Sequence, residues 1–202
     1  MDLTTFALEA LTDFRTVGAV APSSRYLAKA MLRPLPLENA RVVVELGAGT
    51  GVMTHALLNV IPLDATLLAF EINPRFSRHL ESNVSDPRLK LINASAENVK
   101  REVYRRGHRH VDAVVSSLAL AFMSDTQRHA FLSDLGSVLD DSGVFTQFHY
   151  VHGLQMKNGQ VKRFKLEELL HRHFESVQRE IIWRNMPPAY VFVCRGPIRP
   201  PQ

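Results

Sequence analysis

Three glycines spaced two apart, Gly47, Gly49 and Gly51, lie in the run Val42-Val43-Val44-Glu45-Leu46-Gly47-Ala48-Gly49-Thr50-Gly51. Such a loop leaves the backbone bare, so the chain can turn tightly and a ligand can come close to the main chain. The register is not that of a dinucleotide fingerprint. G-x-G-x-x-G counted from Gly47 needs a small residue at position 52, where Val52 stands. It is not a P-loop either, because no Gly-Lys-Ser/Thr follows. A carboxylate at Glu45 would repel a pyrophosphate and suits a cationic ligand or one with an ammonium group. Glu71, twenty residues beyond Gly51, ends the next apolar stretch. A carboxylate there can accept both hydroxyls of a ribose.

Elsewhere the chemistry-bearing residues exclude more than they propose. Cys194 is the only cysteine, which rules out an internal disulfide and a thiolate zinc site. His171 and His173 lie two apart on an expected helix and point to different faces, so no metal is predicted. Arg101, Arg105, Arg106 and Arg109 with His108 and His110 form one basic stretch, and Lys162 with Arg163 another. A solvated face is the plain reading of the first, with lipid headgroups or nucleic acid as the alternative, and Lys162 with Arg163 could meet a phosphate.

The elements that must position the loop alternate. Strands are predicted at 41–46, 65–71, 88–93, 111–116 and 143–150, with helices over 51–60, 74–84, 94–106 and 125–139 between them. Pro74 opens its helix at the favoured first position. Such alternation argues a parallel sheet with right-handed crossovers. The tail departs from it: a helix over 165–173, then strands at 177–183 and 189–195 joined by the Asn185-Met186-Pro187-Pro188 corner, which makes the last two antiparallel. Ahead of the first strand, Leu3, Phe6, Ala7, Ala10, Leu11 and Phe14 recur at helical spacing over 2–15, and Ser23 or Ser24 caps a second helix over 25–32. Two segments are therefore expected: a helical extension over 1–38 and an α/β domain over 39–202.

The 202 residues, 46% hydrophobic and 22% charged, fit an ordinary globular chain able to bury a core. The longest apolar stretch, 111–123, is interrupted by Asp112 and falls short of the roughly 18 residues a membrane span needs. Asp2, Glu9 and Asp13 do not read as a secretory leader, which favours a cytoplasmic protein. The net charge of +4 is a weak pointer to an anionic partner.

The glycine loop with Glu45 and Glu71 resembles the class I S-adenosylmethionine-dependent methyltransferases, over about 39–195. The resemblance implies a Rossmann-like, seven-stranded, mostly parallel sheet with an antiparallel last strand. It implies S-adenosylmethionine as cofactor, with Gly47, Gly49 and Gly51 beside its methionine part and Glu71 and Ile72 at the ribose. Ser95 and Ala96 would lie near the adenine, with Ser95 where the family often has Asp, and Ser116 closes the cofactor set. Val17-Gly18-Ala19-Val20-Ala21-Pro22-Ser23-Ser24, Gln147-Phe148-His149-Tyr150 and Asn185-Met186-Pro187-Pro188-Ala189-Tyr190-Val191 further resemble bacterial phospholipid N-methyltransferases, which methylate phosphatidylethanolamine towards phosphatidylcholine.

That resemblance implies a phospholipid substrate, peripheral contact with the inner membrane through the first helix, and no nucleic acid or obligatory protein partner. Ser24, Leu118 and Tyr190 would meet the substrate. His149, Tyr26 and Tyr150 are the candidates to take a proton from the amine or to hold it, solvent being the alternative. Where that family carries Ser-Gly-Leu-Pro after the fourth strand, this chain has Ser116-Ser117-Leu118-Ala119, which bears on substrate identity. A small-molecule methyltransferase and a non-catalytic cofactor-binding protein remain alternatives. An RNA adenine dimethyltransferase is disfavoured, because its Asn-x-Pro-aromatic motif is missing at 116–119.

Overall fold

All five residues of strand β1, Val42–Leu46, are buried, as in a strand covered by helices on both faces. The computed structural model describes residues 25–151, 154–157 and 160–199. Around β1 stand β2 (Thr66–Phe70), β3 (Leu89–Ile92), β4 (Val111–Ser116), β5 (Leu139–Tyr150), β8 (Phe174–Ile182) and β9 (Ala189–Pro197). They form one seven-stranded sheet in the order β3-β2-β1-β4-β5-β9-β8. β1 to β5 pair in parallel, whereas β9 runs antiparallel between β5 and β8. This is the expected Rossmann-like sheet, with the last strand inserted rather than added at the edge.

Among the described residues, six helices serve this sheet: α1 (Arg25–Leu32), α2 (Val52–Leu58), α3 (Pro74–Asn83), α4 (Val99–Arg105), α5 (Asp125–Val138) and α6 (Leu166–Leu170). On one face Leu27, Met31, Met53 and Leu57 of α1 and α2 pack against Val43, Leu67, Val115 and Val144. On the other, Val103 of α4, Leu135 of α5 and Leu170 of α6 meet Val44, Val114 and Phe145. α3 opens with Asn73 accepting a hydrogen bond from the Arg75 N–H, and α5 with a capping box between Ser124 and Gln127.

Several boundaries differ from the sequence expectation. The helix expected over 94–106 opens as a 3₁₀ turn at Ala96–Asn98, capped by Ser95, before α4 begins. β8 starts three residues early, at Phe174, and α6 stops at Leu170. A small hairpin, β6 (Leu154–Lys157) with β7 (Gln160–Arg163), was not expected. The helix predicted over 2–15 and the cap at Ser24 lie outside the described residues.

The strand ends make two opposite edges of the sheet. β1, β4 and β5 end at one of them, and the pairing of Tyr150 with Ala189 places the turn from β8 to β9 there too. α1 crosses between the edges. Its first turn lies near that turn, with the Arg184 guanidinium 5.3 Å from the Tyr26 ring. Beyond its other end, Arg195 donates to the Pro34 carbonyl.

Candidate active site

The strand order reverses between β1 and β4, and open α/β sheets bind ligands outside the carboxyl ends of their strands at such a point. The glycine loop leaves β1 here. Gly47 and Ala48 both donate to the Phe70 carbonyl at the end of β2. The loop then holds left-handed backbone at Gly47, Gly49 and Gly51. A Cβ at Gly49 would meet nothing within 4 Å, so the loop faces open space there. A Cβ at Gly51 would lie 2.5 Å from the Leu80 side chain, so that glycine serves helix packing.

Glu71 is nearly buried and firmly held. Its Oε2 accepts from the Gly49 N–H at 2.7 Å and its Oε1 from the Asn73 N–H at 2.7 Å. A carboxylate offers about four lone-pair sites, so acceptor capacity remains for a pair of ligand hydroxyls. The Asn93 side chain donates to the Glu71 carbonyl at 2.9 Å and ties β3 to this corner.

Glu45 is fully buried. Its Oε2 accepts from the Thr54 hydroxyl at 2.7 Å, while its buried Oε1 has no hydrogen-bond partner. Burial pushes its carboxyl up to about 7, helped by the charge of Glu71 and opposed by the Thr54 hydroxyl. A buried acceptor lacking a donor, beside a bare loop, fits a ligand that brings an ammonium group, directly or through a water.

The exit of β4 closes this corner. The Ser117 N–H donates to the Leu46 carbonyl, and Leu118 lies 3.5 Å from where a Gly47 Cβ would stand. Ser116 is buried, its hydroxyl accepting from the Leu118 N–H. Gln147 on β5 holds the same turn, its amide donating to the Leu118 carbonyl at 3.0 Å and to that of Phe148 at 2.6 Å. Ser95 accepts from the Glu97 N–H, Ala96 is buried in the core, and Ile72 is exposed beside Glu71.

The remaining predicted residues fall on both sides of β5. Tyr150 packs edge-on against Phe148 on the α1 face, and Tyr26 stands on α1. His149 points to the opposite face, edge-on to Phe164, and Tyr190 packs on that face as well. The structure therefore does not gather Tyr26, His149 and Tyr150 on one side. Their tuning differs too. The hydrogen bond from Arg25 and the charge of Arg184 hold the Tyr26 phenol below its ordinary range, whereas burial raises Tyr150. Sequence reasoning assigned no role to Thr54 and Asn93, and named Gln147 only as part of a motif. The signal for Thr54 was a polar residue on the apolar side of its helix.

The methyltransferase-domain family matches residues 43–143, from β1 into β5. The chain belongs to that family, within the class I S-adenosylmethionine-dependent methyltransferases, and S-adenosylmethionine is its cofactor. The bare loop, the orphaned Glu45 oxygen and the spare acceptors of Glu71 fit that group. The chain is 31% identical to the ornithine lipid N-methyltransferase of Singulisphaera acidiphila, over 89% of this chain and 88% of that protein. Among solved structures it resembles the 1,6-didemethyltoxoflavin-N1-methyltransferase of Burkholderia thailandensis, solved with S-adenosylhomocysteine, at 19% identity and a TM-score of 0.69 over 96% of this chain and 87% of that one. It also resembles human methyltransferase-like protein 13 in complex with S-adenosylhomocysteine, at 19% identity and a TM-score of 0.58 over 88% and 80%. Among the described residues no helix is long and apolar enough to cross a membrane, and no cluster of three or more metal-ligating side chains occurs.

Proposed function

We propose that this protein methylates the amine of a membrane lipid headgroup, phosphatidylethanolamine and its partly methylated forms being the first choice, from the face of the inner membrane that meets the cytoplasm. The observation that carries this reading is the identity to a lipid N-methyltransferase, which spans 89% of the chain and so extends well beyond the cofactor-binding half. Phosphatidylethanolamine and an ornithine headgroup share a chemistry, an amine with an anion nearby.

The bound cofactor supplies a methyl already activated by its sulfonium, so the protein's task is alignment, exclusion of water and removal of one proton. Glu45, Gly49 and Glu71 would hold the cofactor. Ser116, Leu118 and Gln147 shape the wall at the β4 exit where the amine must arrive. Tyr26 and Tyr150, on the α1 side of β5, are the candidates there to hold the amine or to take its proton, solvent being the alternative. His149 and Tyr190 would act from the other face of β5.

Detergent-dispersed phosphatidylethanolamine and ornithine lipid, each incubated with the protein and methyl-labelled cofactor, test the proposal. Label is expected in phosphatidylethanolamine. Label in ornithine lipid alone would move the headgroup assignment while keeping the lipid amine. Absence of label from both, with cofactor bound, would overturn the reading.

A further inference from the structure

Four side chains at the site edge have no role in the cofactor pocket: Trp183, Arg184 and Met186 in the turn from β8 to β9, and Arg25 at the start of α1. Trp183 is 71% exposed and Met186 78%, a large apolar area for one turn. The turn is built rather than loose. Asn185 is buried, its side chain donates to the Pro187 carbonyl at 2.7 Å, and the Val151 N–H donates to the Pro188 carbonyl at 3.0 Å. Beside the apolar tips lie two cations, the guanidiniums of Arg25 and Arg184, 5.1 and 5.3 Å from the Tyr26 ring. From 181 to 199 the chain carries no acidic residue.

We infer that this turn and the first turn of α1 form the surface by which the protein docks on an anionic lipid bilayer, an inference that rests on the proposed lipid substrate. Tryptophan settles at the level of lipid headgroups, with its ring against the acyl boundary. Methionine adds a flexible apolar side chain beside it. Arg25 and Arg184 then face the phosphates of anionic lipids, where each basic side chain strengthens attachment. Charge argues against a second copy as the occupant, because a self-complementary contact would bring the two arginine pairs together. The surface also lies at the edge where β1, β4 and β5 end, so docking would turn the mouth of the site toward the lipid headgroups.

Trp183 is the only tryptophan in the sequence, so the emission of the full chain reports on this turn alone. Vesicles of phosphatidylglycerol and phosphatidylethanolamine should shift that emission to the blue. Brominated acyl chains should quench it, and added salt should reverse both effects. Arg184→Glu should lower vesicle affinity at least about fivefold. Met186→Asp should weaken it as well, and in the Met186→Asp variant cofactor binding and methylation of detergent-dispersed lipid should persist. Protein that floats with vesicles while the Trp183 emission stays unchanged docks by another face, which overturns the inference and spares the lipid reading. A blue shift that follows protein concentration without lipid assigns the surface to a second copy and overturns it too. Dispersed lipid methylated normally by a protein that ignores vesicles sinks the docking surface alone. Failure on dispersed lipid sinks the proposed function, whatever the emission does.

Discussion

Glu45 is a carboxyl removed from water, with one hydroxyl donor and a second carboxylate nearby. In the free protein it keeps its proton to about pH 7, whereas in the unfolded chain it ionises near its ordinary value of 4.5. The folded state therefore holds the extra proton between those values. The stability this confers is complete below the unfolded value and is lost as pH rises through the folded one. The shift corresponds to about 3 kcal/mol. A cation beside Glu45 needs the ionised form, so cofactor affinity should climb with pH until the carboxyl has titrated. Glu45→Gln keeps an acceptor for the Thr54 hydroxyl and removes the ionisation. It should flatten the pH dependence of the free protein's Tm between about pH 5 and pH 8. It should also weaken cofactor binding by about 2 kcal/mol, roughly 30-fold, in calorimetry at pH 8. Binding as tight as the native protein's would mean that the carboxylate does not face the ligand.

The loop from β1 to α2 separates two uses of glycine, and paired substitutions can tell them apart. At Gly51 the left-handed φ of 89° and the contact with Leu80 act together, so Gly51→Ala should cost about 2 kcal/mol of stability by denaturant titration. At Gly49 the added methyl meets open space. Gly49→Ala should cost only about 1 kcal/mol of stability, yet it obstructs the approach to the backbone and should abolish most cofactor binding. Equal effects of the two changes on binding would mean that the loop acts as one rigid unit. These glycines were legible in the sequence because each sits where a buried valine run must end, and so were Glu45 and Glu71. Gln147 was not, because its partner is the Leu118 carbonyl, which comes within reach only once β4 and β5 pair. The β6–β7 hairpin had a sequence signal in the dipeptide Asn-Gly at 158–159, a composition that favours two-residue hairpin loops, which the basic residues around it obscured. β8 was misjudged at its start because it is an edge strand, with polar Glu175, Gln178, Arg179 and Glu180 obscuring the alternation.

Across the whole molecule, binding and stability fall at opposite edges of the sheet. The edge where the parallel strands end carries the glycine loop, the two carboxylates and the β8–β9 turn. The other edge carries Arg88 just ahead of β3, only 13% exposed, in a bidentate pair with Asp86. The same guanidinium donates to the Leu58 carbonyl at 2.7 Å and to the Ile61 carbonyl at 2.8 Å. It thus closes the C-terminal end of α2, where a cation is favoured, and fastens the connection from α2 to β2 onto β3. Removing it leaves those carbonyls without their donor and the Asp86 carboxylate with only the residue-88 backbone N–H, so Arg88→Ala should lower stability by about 2–4 kcal/mol. In a domain of this size that is a fall in Tm of roughly 5–15 °C. None of these groups reaches the glycine loop, so below the lowered Tm the variant should bind cofactor as the native chain does. Calorimetric melting and cofactor titration on one sample check both halves. A loss of affinity comparable to the loss of stability would mean that α2 carries strain from one edge to the other, and that the loop at its N-terminal end depends on how its far end is held.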